Sequence, residues 1–240
     1  MNKSYVILFV AISTVILGCK KEEAKHEVKN HGALMNLMGG RLEAVVDLDT
    51  IPTTNLYALG AQENLKGELQ IWNGKAYHSR SINANEVELF DDPVKASLLV
   101  HAQVEQWNSP IKLSGFKTSA DLESQIKGAA IDLGIDVSQP FPFLIEGTAH
   151  QLDWHVINWP EGDLEHTHKK HQESGSNGRM TEKSVKIIGF YSEKHKAVFT
   201  HHTTFLHMHV ITDEIAGHVD QLQGTQLTLS LPKWSLQNIQ

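Results

Sequence analysis

The chain has 240 residues, a formal net charge of −7 and 15 histidines. An acidic balance without basic stripes argues against nucleic acid as a partner and gives no attraction to anionic lipid surfaces. A single cysteine excludes any disulfide within the chain.

The first predicted element is an apolar run over residues 5–17, which follows Lys3 and stops at Leu17-Gly18-Cys19. A hydrocarbon core needs about 20 apolar residues, so this run reads as a signal peptide over residues 1–18 rather than a permanent span. The small residue ahead of Cys19 resembles the bacterial lipobox. That resemblance implies lipidation of Cys19 and an exported protein held in the cell envelope, periplasmic or outer surface, by its lipid. A plain signal peptide or a buried N-terminal strand is the alternative. Residues 19–33 are expected to be the lipidated cysteine and a flexible tether, because KKEEAKHEVKNH is charged and nearly free of bulky apolar side chains.

From Leu34 onward the pattern is that of a folded body. Residues 55–62 and 67–72 read as strands, and Asn73-Gly74 between ELQIW and KAYHSR is a two-residue hairpin signal, since both positions tolerate positive φ. Residues 100–107 read as a further strand. A helix is predicted over residues 118–133: Thr118 and Asp121 can form a capping box, Leu122, Ile126, Ala129, Ala130 and Leu133 make one apolar stripe, and Gly134 can end it. Pro140 and Pro142 mark a boundary. Beyond it, strands are predicted at residues 143–146, 151–158, 184–191, 197–212, 218–222 and 225–231. The segment GDLEHTHKKHQESGSNG, residues 162–178, lacks apolar periodicity and reads as a long loop. The fold class expected is therefore α+β with few helices: a mixed β-sheet part over residues 34–140 and a largely antiparallel part over residues 141–240.

All the histidines except His26, His31, His78 and His101 lie from His150 onward. The sharpest chemical pattern among them is FLHMHVITDEIAGHV, residues 205–219. On a strand, side chains alternate, so Phe205, His207 and His209 share one face while Leu206, Met208 and Val210 share the other. A turn near residues 213–217 would return His218 alongside. Three imidazoles then converge on one point and leave a coordination position open, the pattern of a catalytic zinc site rather than a structural one; other divalent metals suit the ligand type less well. The competing reading is a set of half-buried histidines bonded to backbone carbonyls. His201 shares the parity of His207 if the strand is unbroken, which would make it either a partner of the ligands or a solvated neighbour.

At these residues the chain resembles the α-acetolactate decarboxylases. LHMHVITDEIAGHVDQL is similar to the segment in which His-x-His and a later Gly-His-Val supply that family's zinc ligands, and the matching positions are His207, His209 and His218. LYALGAQENLKGELQIWNGKAY is similar to the family's glycine-rich strand pair, where an acidic residue lies near the metal; here it is Glu68. The resemblance implies a lyase acting on acetolactate or a similar 2-hydroxy-3-keto acid to give acetoin. The charge left by decarboxylation would be stabilised by a Lewis acid, and Glu68 would supply a proton.

The chain also departs from that family. Where the family places an arginine against the substrate, IEGTAHQLDWHVINWP puts His155, which offers fewer donors and no permanent charge. A family glutamate near the C-terminus has no counterpart in LTLSLPKWSLQNIQ. The loop carrying His166, His168 and His171 either supplies positive charge over the pocket or is simply solvated. Two rival readings follow. One is a non-catalytic metal-binding or sensing envelope lipoprotein on the same scaffold. The other is a cupin-like site in which Glu214 joins His207 and His209. The expected partners are a small-molecule substrate and the membrane through the lipid alone, with a homodimer left open.

Overall fold

The computed structural model describes residues 27–234. The expected signal peptide and Cys19 lie outside the described residues. Among the described residues, no helix is long and apolar enough to cross a membrane.

The first part of the chain builds one sheet from β1 (Lys29–His31), β2 (Val46–Asp47), β3 (Leu56–Gln62), β4 (Glu68–Trp72), β5 (Lys75–Ala76), β6 (His78–Asn83), β7 (Glu86–Phe90) and β8 (Lys95–Gln103). A short helix, α1 (Leu34–Met38), follows β1. The strand order is β1-β8-β3-β4-β6-β7, with β2 on β8 and β5 on β4. Every ladder in it is antiparallel, which corrects the mixed sheet expected for this part. Short connections account for the β3–β4, β4–β5 and β6–β7 ladders, since a tight turn returns the chain antiparallel whereas a parallel pair needs a crossover of about a dozen residues or more. Asn73 and Gly74 make such a turn, with φ of 50° and 81° as the hairpin signal requires. The strand expected at residues 100–107 lies earlier, as β8.

The second part comprises β9 (Ile111–Lys112), α2 (Ser119–Asp132), β10 (Phe141–Val156), α3 (His168–Glu173), β11 (Ser176–Tyr191), β12 (Leu206–Ile211) and β13 (Ala216–Ser230). Strands β10 to β13 pair in chain order, β10 pairs again with β13, and β9 adds to the outer side of β13. Three long antiparallel strands and the six-residue β12 therefore close on themselves. The two pairs of short strands expected over residues 143–158 and 218–231 are the single strands β10 and β13. Their common ladder shifts register between Thr148, Ala149 and Gln151, and such bulges bend a strand without ending it.

Three further expectations are corrected. The strand expected at residues 197–212 is only β12. Upstream of it Ala197 has φ of 61°, and the N–H groups of Val198, Phe199 and Thr200 all turn back onto the His195 carbonyl. The loop expected at residues 162–178 contains α3, whose N-cap Thr167 accepts from the Lys170 N–H at 3.2 Å, and it also contains the start of β11. The latter pairs Asn177 with His155, and a half-exposed strand needs backbone partners rather than apolar periodicity. Last, the end of the expected tether is β1: Lys29 lies opposite His101 and His31 opposite Leu99. Ladder bonds use backbone groups, so side-chain charge did not prevent this pairing.

The packing follows the two periodicities. Helix α2 is capped by Thr118, which accepts from the Asp121 N–H at 3.1 Å, and ends before Gly134 at φ 74°. It buries Leu122, Ile126 and Ala130 completely against the closed strands, while Leu133 at the end of the expected stripe is 37% exposed. Burial of a leucine or isoleucine of this kind stabilises by about 2 kcal/mol. In β12, Leu206, Met208 and Val210 enter that same core. Between the two sheets Tyr57, Leu59, Val100 and Ala102 pack on Leu144, Ile188 and Phe190. Leu56, Ala58, Leu69 and Ile71 fill the opposite face of the first sheet. The alternation leaves Glu68 and Gln70 of β4, and His207 and His209 of β12, to meet each other between the sheets.

Candidate metal centre and active site

His207 and His209 stand on β12, on the face opposite Leu206, Met208 and Val210. The turn after Ile211, in which the Thr212 N–H donates to the Ile215 carbonyl at 2.8 Å, starts β13 so that His218 lies directly opposite His209. The three side chains are 4%, 1% and 8% exposed, and their candidate ligand nitrogens lie within 4.8 Å of one another. Ring centroids are 5.1 Å apart for His207 and His209, 5.1 Å for His207 and His218, and 5.3 Å for His209 and His218.

Burial, then the neighbouring imidazoles, pushes all three pKa values down: His207 to about 3, His209 and His218 well below the ordinary value. Neutral rings are what a cation needs, because a ligating nitrogen must be unprotonated. Gln70 fixes one of them. In the amide orientation that satisfies its partners, its oxygen accepts from the His209 Nδ1–H at 3.0 Å and the Gly217 N–H at 3.1 Å, and its nitrogen donates to the Tyr77 carbonyl. His209 Nε2 is thereby turned toward Glu68, 3.7 Å from Oε2. The Nδ1 of His207 is buried without a well-formed hydrogen bond. Such a group costs about 1–3 kcal/mol when left unpaired. Three neutral, buried and convergent imidazoles, one of them with an orphaned nitrogen, fit a divalent cation.

Glu68 comes from β4, where the preceding Gly67 has φ of 154° and sits so close to the Ser79 carbonyl that a Cβ would lie 2.1 Å from it. The carboxyl is 4% exposed. Burial raises its pKa to about 8, against the opposing pull of His155 and of the Ile157 N–H, which donates to Oε1 at 3.4 Å. His155, on β10 opposite His218, places its ring 4.8 Å from that of His218 and its Nε2 4.0 Å from Glu68 Oε1. Its Nδ1 donates to Asp220 at 2.9 and 3.0 Å. Burial works to lower the His155 pKa, but the hydrogen bond and charge of Asp220, then Glu68, outweigh it and the net shift is upward. For Asp220, burial works upward while the bond and charge of His155 and the bond from Gln172 prevail, leaving the pKa lowered. Gln172 of α3 donates to Asp220 Oδ1 at 2.6 Å.

These groups open onto a cavity of about 490 Å³. Its lining includes Glu68, His155, His207 and His218, the apolar residues of α1, and His168, His171, His201 and His202; among the described residues no lysine or arginine lines it. Burial lowers the pKa of His168, and of His171 and His201 to about 4. His201 reaches the site although its strand is broken: its ring lies 5.4 Å from His218 and 6.4 Å from His207. His166 and His171 pair at 3.0 Å, and His166 stacks on Trp159.

Glu68, His155, His207, His209 and His218, singled out from the sequence, are thus gathered in one place. Glu214 is not: its exposed carboxylate pairs with Lys183 at 2.9 Å in the turn before β13, so the cupin-like arrangement is absent. Asp220, Gln70 and Gln172 were missed. Parity could have found the first two, each being two residues beyond a candidate on the same strand face, whereas Gln172 depends on how α3 lies over β13.

No curated protein matches the chain by sequence. Among solved structures, an α-acetolactate decarboxylase from Bacillus subtilis strain 168 superposes with a TM-score of 0.70 at 15% identity, covering 86% of this chain and 85% of that one. The enzyme from Bacillus subtilis subspecies spizizenii gives 0.68 at 15% identity over 86% and 85%. A Staphylococcus aureus protein of unknown function, described as similar to α-acetolactate decarboxylase, gives 0.68 at 19% identity over 85% and 84%. At these identities the likeness establishes the fold. The family assignment comes from the sequence itself, which matches the α-acetolactate decarboxylase family over residues 28–240, and the chain therefore belongs to that family.

Proposed function

We propose that the protein is a metal-dependent carboxy-lyase that converts acetolactate, or a similar 2-hydroxy-3-keto acid, to acetoin or its homologue and carbon dioxide. The observation that carries this reading is the convergence of His207, His209 and His218 beside the buried carboxyl of Glu68. A divalent cation held by the three imidazoles, zinc by ligand preference, would supply a Lewis acid for the negative charge that develops on the substrate oxygens. Glu68 stands on the cavity wall, beside the three imidazoles, and would deliver a proton to the carbon that loses carbon dioxide. His155, held in one tautomer by Asp220, turns Nε2 toward the same space and would orient the substrate carboxylate until it leaves.

The test pairs metal analysis with acetoin formation. The purified chain should carry about one metal per molecule and convert acetolactate, and His209→Ala should lose both. Bound metal without acetoin above the chemical background would discard the lyase. One observation favours a second reading, that of a metal-binding or sensing lipoprotein: among the described residues the cavity is lined by histidines where a carboxylate would call for a lysine or arginine. It predicts metal without turnover. We also propose export and anchoring through Cys19, supported by the lipobox-like LGC. Labelled fatty acid should enter the wild type and not Cys19→Ser.

A further inference from the structure

The cavity has a wall that the proposed chemistry does not use. Leu37, Ala61, Leu65, Leu98, Ile157 and Trp159 form an apolar cluster distinct from the core of the closed strands and from the core between the sheets. Five of these residues line the cavity, joined by Leu34, Met35 and Met38. Leu37, Leu65 and Leu98 are no more than 3% exposed, while Met35 and Met38 are 56% and 42% exposed. The wall therefore runs from a buried floor to an open rim, and it adjoins Glu68, which pairs across the strands with Ala61 and accepts from the Ile157 N–H.

Acetolactate is a poor match for such a space. Its nine non-hydrogen atoms carry two methyl groups, and the polar ones are taken up at the histidine wall. A cavity of about 490 Å³ falls within the roughly 300–1,000 Å³ that accommodates a drug-sized ligand. Water left against aliphatic side chains would make no compensating hydrogen bonds, so an apolar group placed there gains the transfer energy of every carbon it buries.

We infer, resting on the lyase reading above, that this site takes 2-hydroxy-3-keto acids bearing an aliphatic chain longer than methyl, with the hydroxy-keto-acid head at the histidine wall and the chain along Leu37, Leu65, Leu98 and Ile157. The chain is carried either on carbon 2 or beyond the ketone. The reaction is unchanged: the bond from carbon 2 to the carboxylate breaks, its electron pair remains with the hydroxy-keto fragment, one proton adds to carbon 2, and carbon dioxide leaves.

The experiment uses the full, metal-loaded chain with two series of acids, lengthened from methyl to pentyl on carbon 2 or beyond the ketone. kcat/KM should climb about fourfold per methylene in one series until the wall is covered. In parallel, calorimetry measures binding of matching 2-alkyl-2-hydroxy acids and chain-extended 2-hydroxy-3-keto amides, which keep the head but do not decarboxylate. Affinity should climb by a similar factor whether or not turnover occurs. Rising affinity with no turnover of any acid would uphold the chain-binding wall and discard the lyase. Methyl substrates turned over as well as or better than all longer ones, or affinity indifferent to chain length in both series, would overturn the inference and leave the lyase standing. Ala61→Leu, which fills the floor, should cut the preference for pentyl over methyl at least tenfold; a folded variant with the ratio unchanged would also overturn it.

Discussion

Two sets of histidines gather at one cavity, whose lining takes in His207 and His218 of the first and His168, His171 and His201 of the second, and they are held in different ways. His207, His209 and His218 are fixed by adjacent strands, buried and mutually within 4.8 Å. His168 and His171 sit on α3, a helix of six residues, and His201 on a turn. Strand register sets ring positions through backbone bonds on both sides, whereas a short helix or a turn leaves its side chains to local packing. Histidine content alone does not bring imidazoles together; the ladder between β12 and β13 does so for His209 and His218.

The comparison can be broken most sharply at His218. Changing His218→Ala removes one ligand from a buried set, so metal content should fall below about a tenth of the wild-type value and acetoin formation should vanish into background, whereas His168→Ala should leave metal content intact. Equal losses in the two variants, by metal analysis, would erase the distinction. Next in size is Glu68→Gln, which keeps the shape and removes the transferable proton: turnover should drop about 10²–10⁴-fold with metal retained. Asp220→Asn tests the support of His155. It should lower kcat/KM about 10–100-fold, and a pH–rate profile that changes shape would separate loss of His155 positioning from a general loosening. His171→Ala, on α3, should change kcat/KM by less than about threefold. Thr118→Ala lies far from the site and should lower unfolding stability by about 1 kcal/mol without touching metal content, as read by denaturant melts.

The same contrast explains what could be read in advance. Period-two alternation and a short turn suffice to bring His207, His209 and His218 together, so their convergence was legible without coordinates. So were the Asn73-Gly74 turn and the cap of α2, both local in sequence. Glu68 had no local signal, because its proximity to His209 comes from packing of one sheet on the other, and only the family resemblance pointed to it. The contact between Gln172 and Asp220 spans 48 positions along the chain and depends on the placement of α3. The closure of β10 onto β13 was likewise hidden: bulges at Thr148 and Ala149 let one strand serve where two were expected, over residues 143–146 and 151–158.

The pairing of β1 with β8 has a mechanical consequence. If Cys19 carries lipid, the leash between membrane and body is only the ten residues from Cys19 to Val28, ahead of Lys29 where the ladder clamps the chain. Fully extended, it reaches about 35 Å. Helix α1, on the rim of the cavity, begins three residues after β1 ends. The cavity mouth would thus be kept close to the bilayer surface, and solutes released there would enter a thin layer of fluid rather than the open compartment.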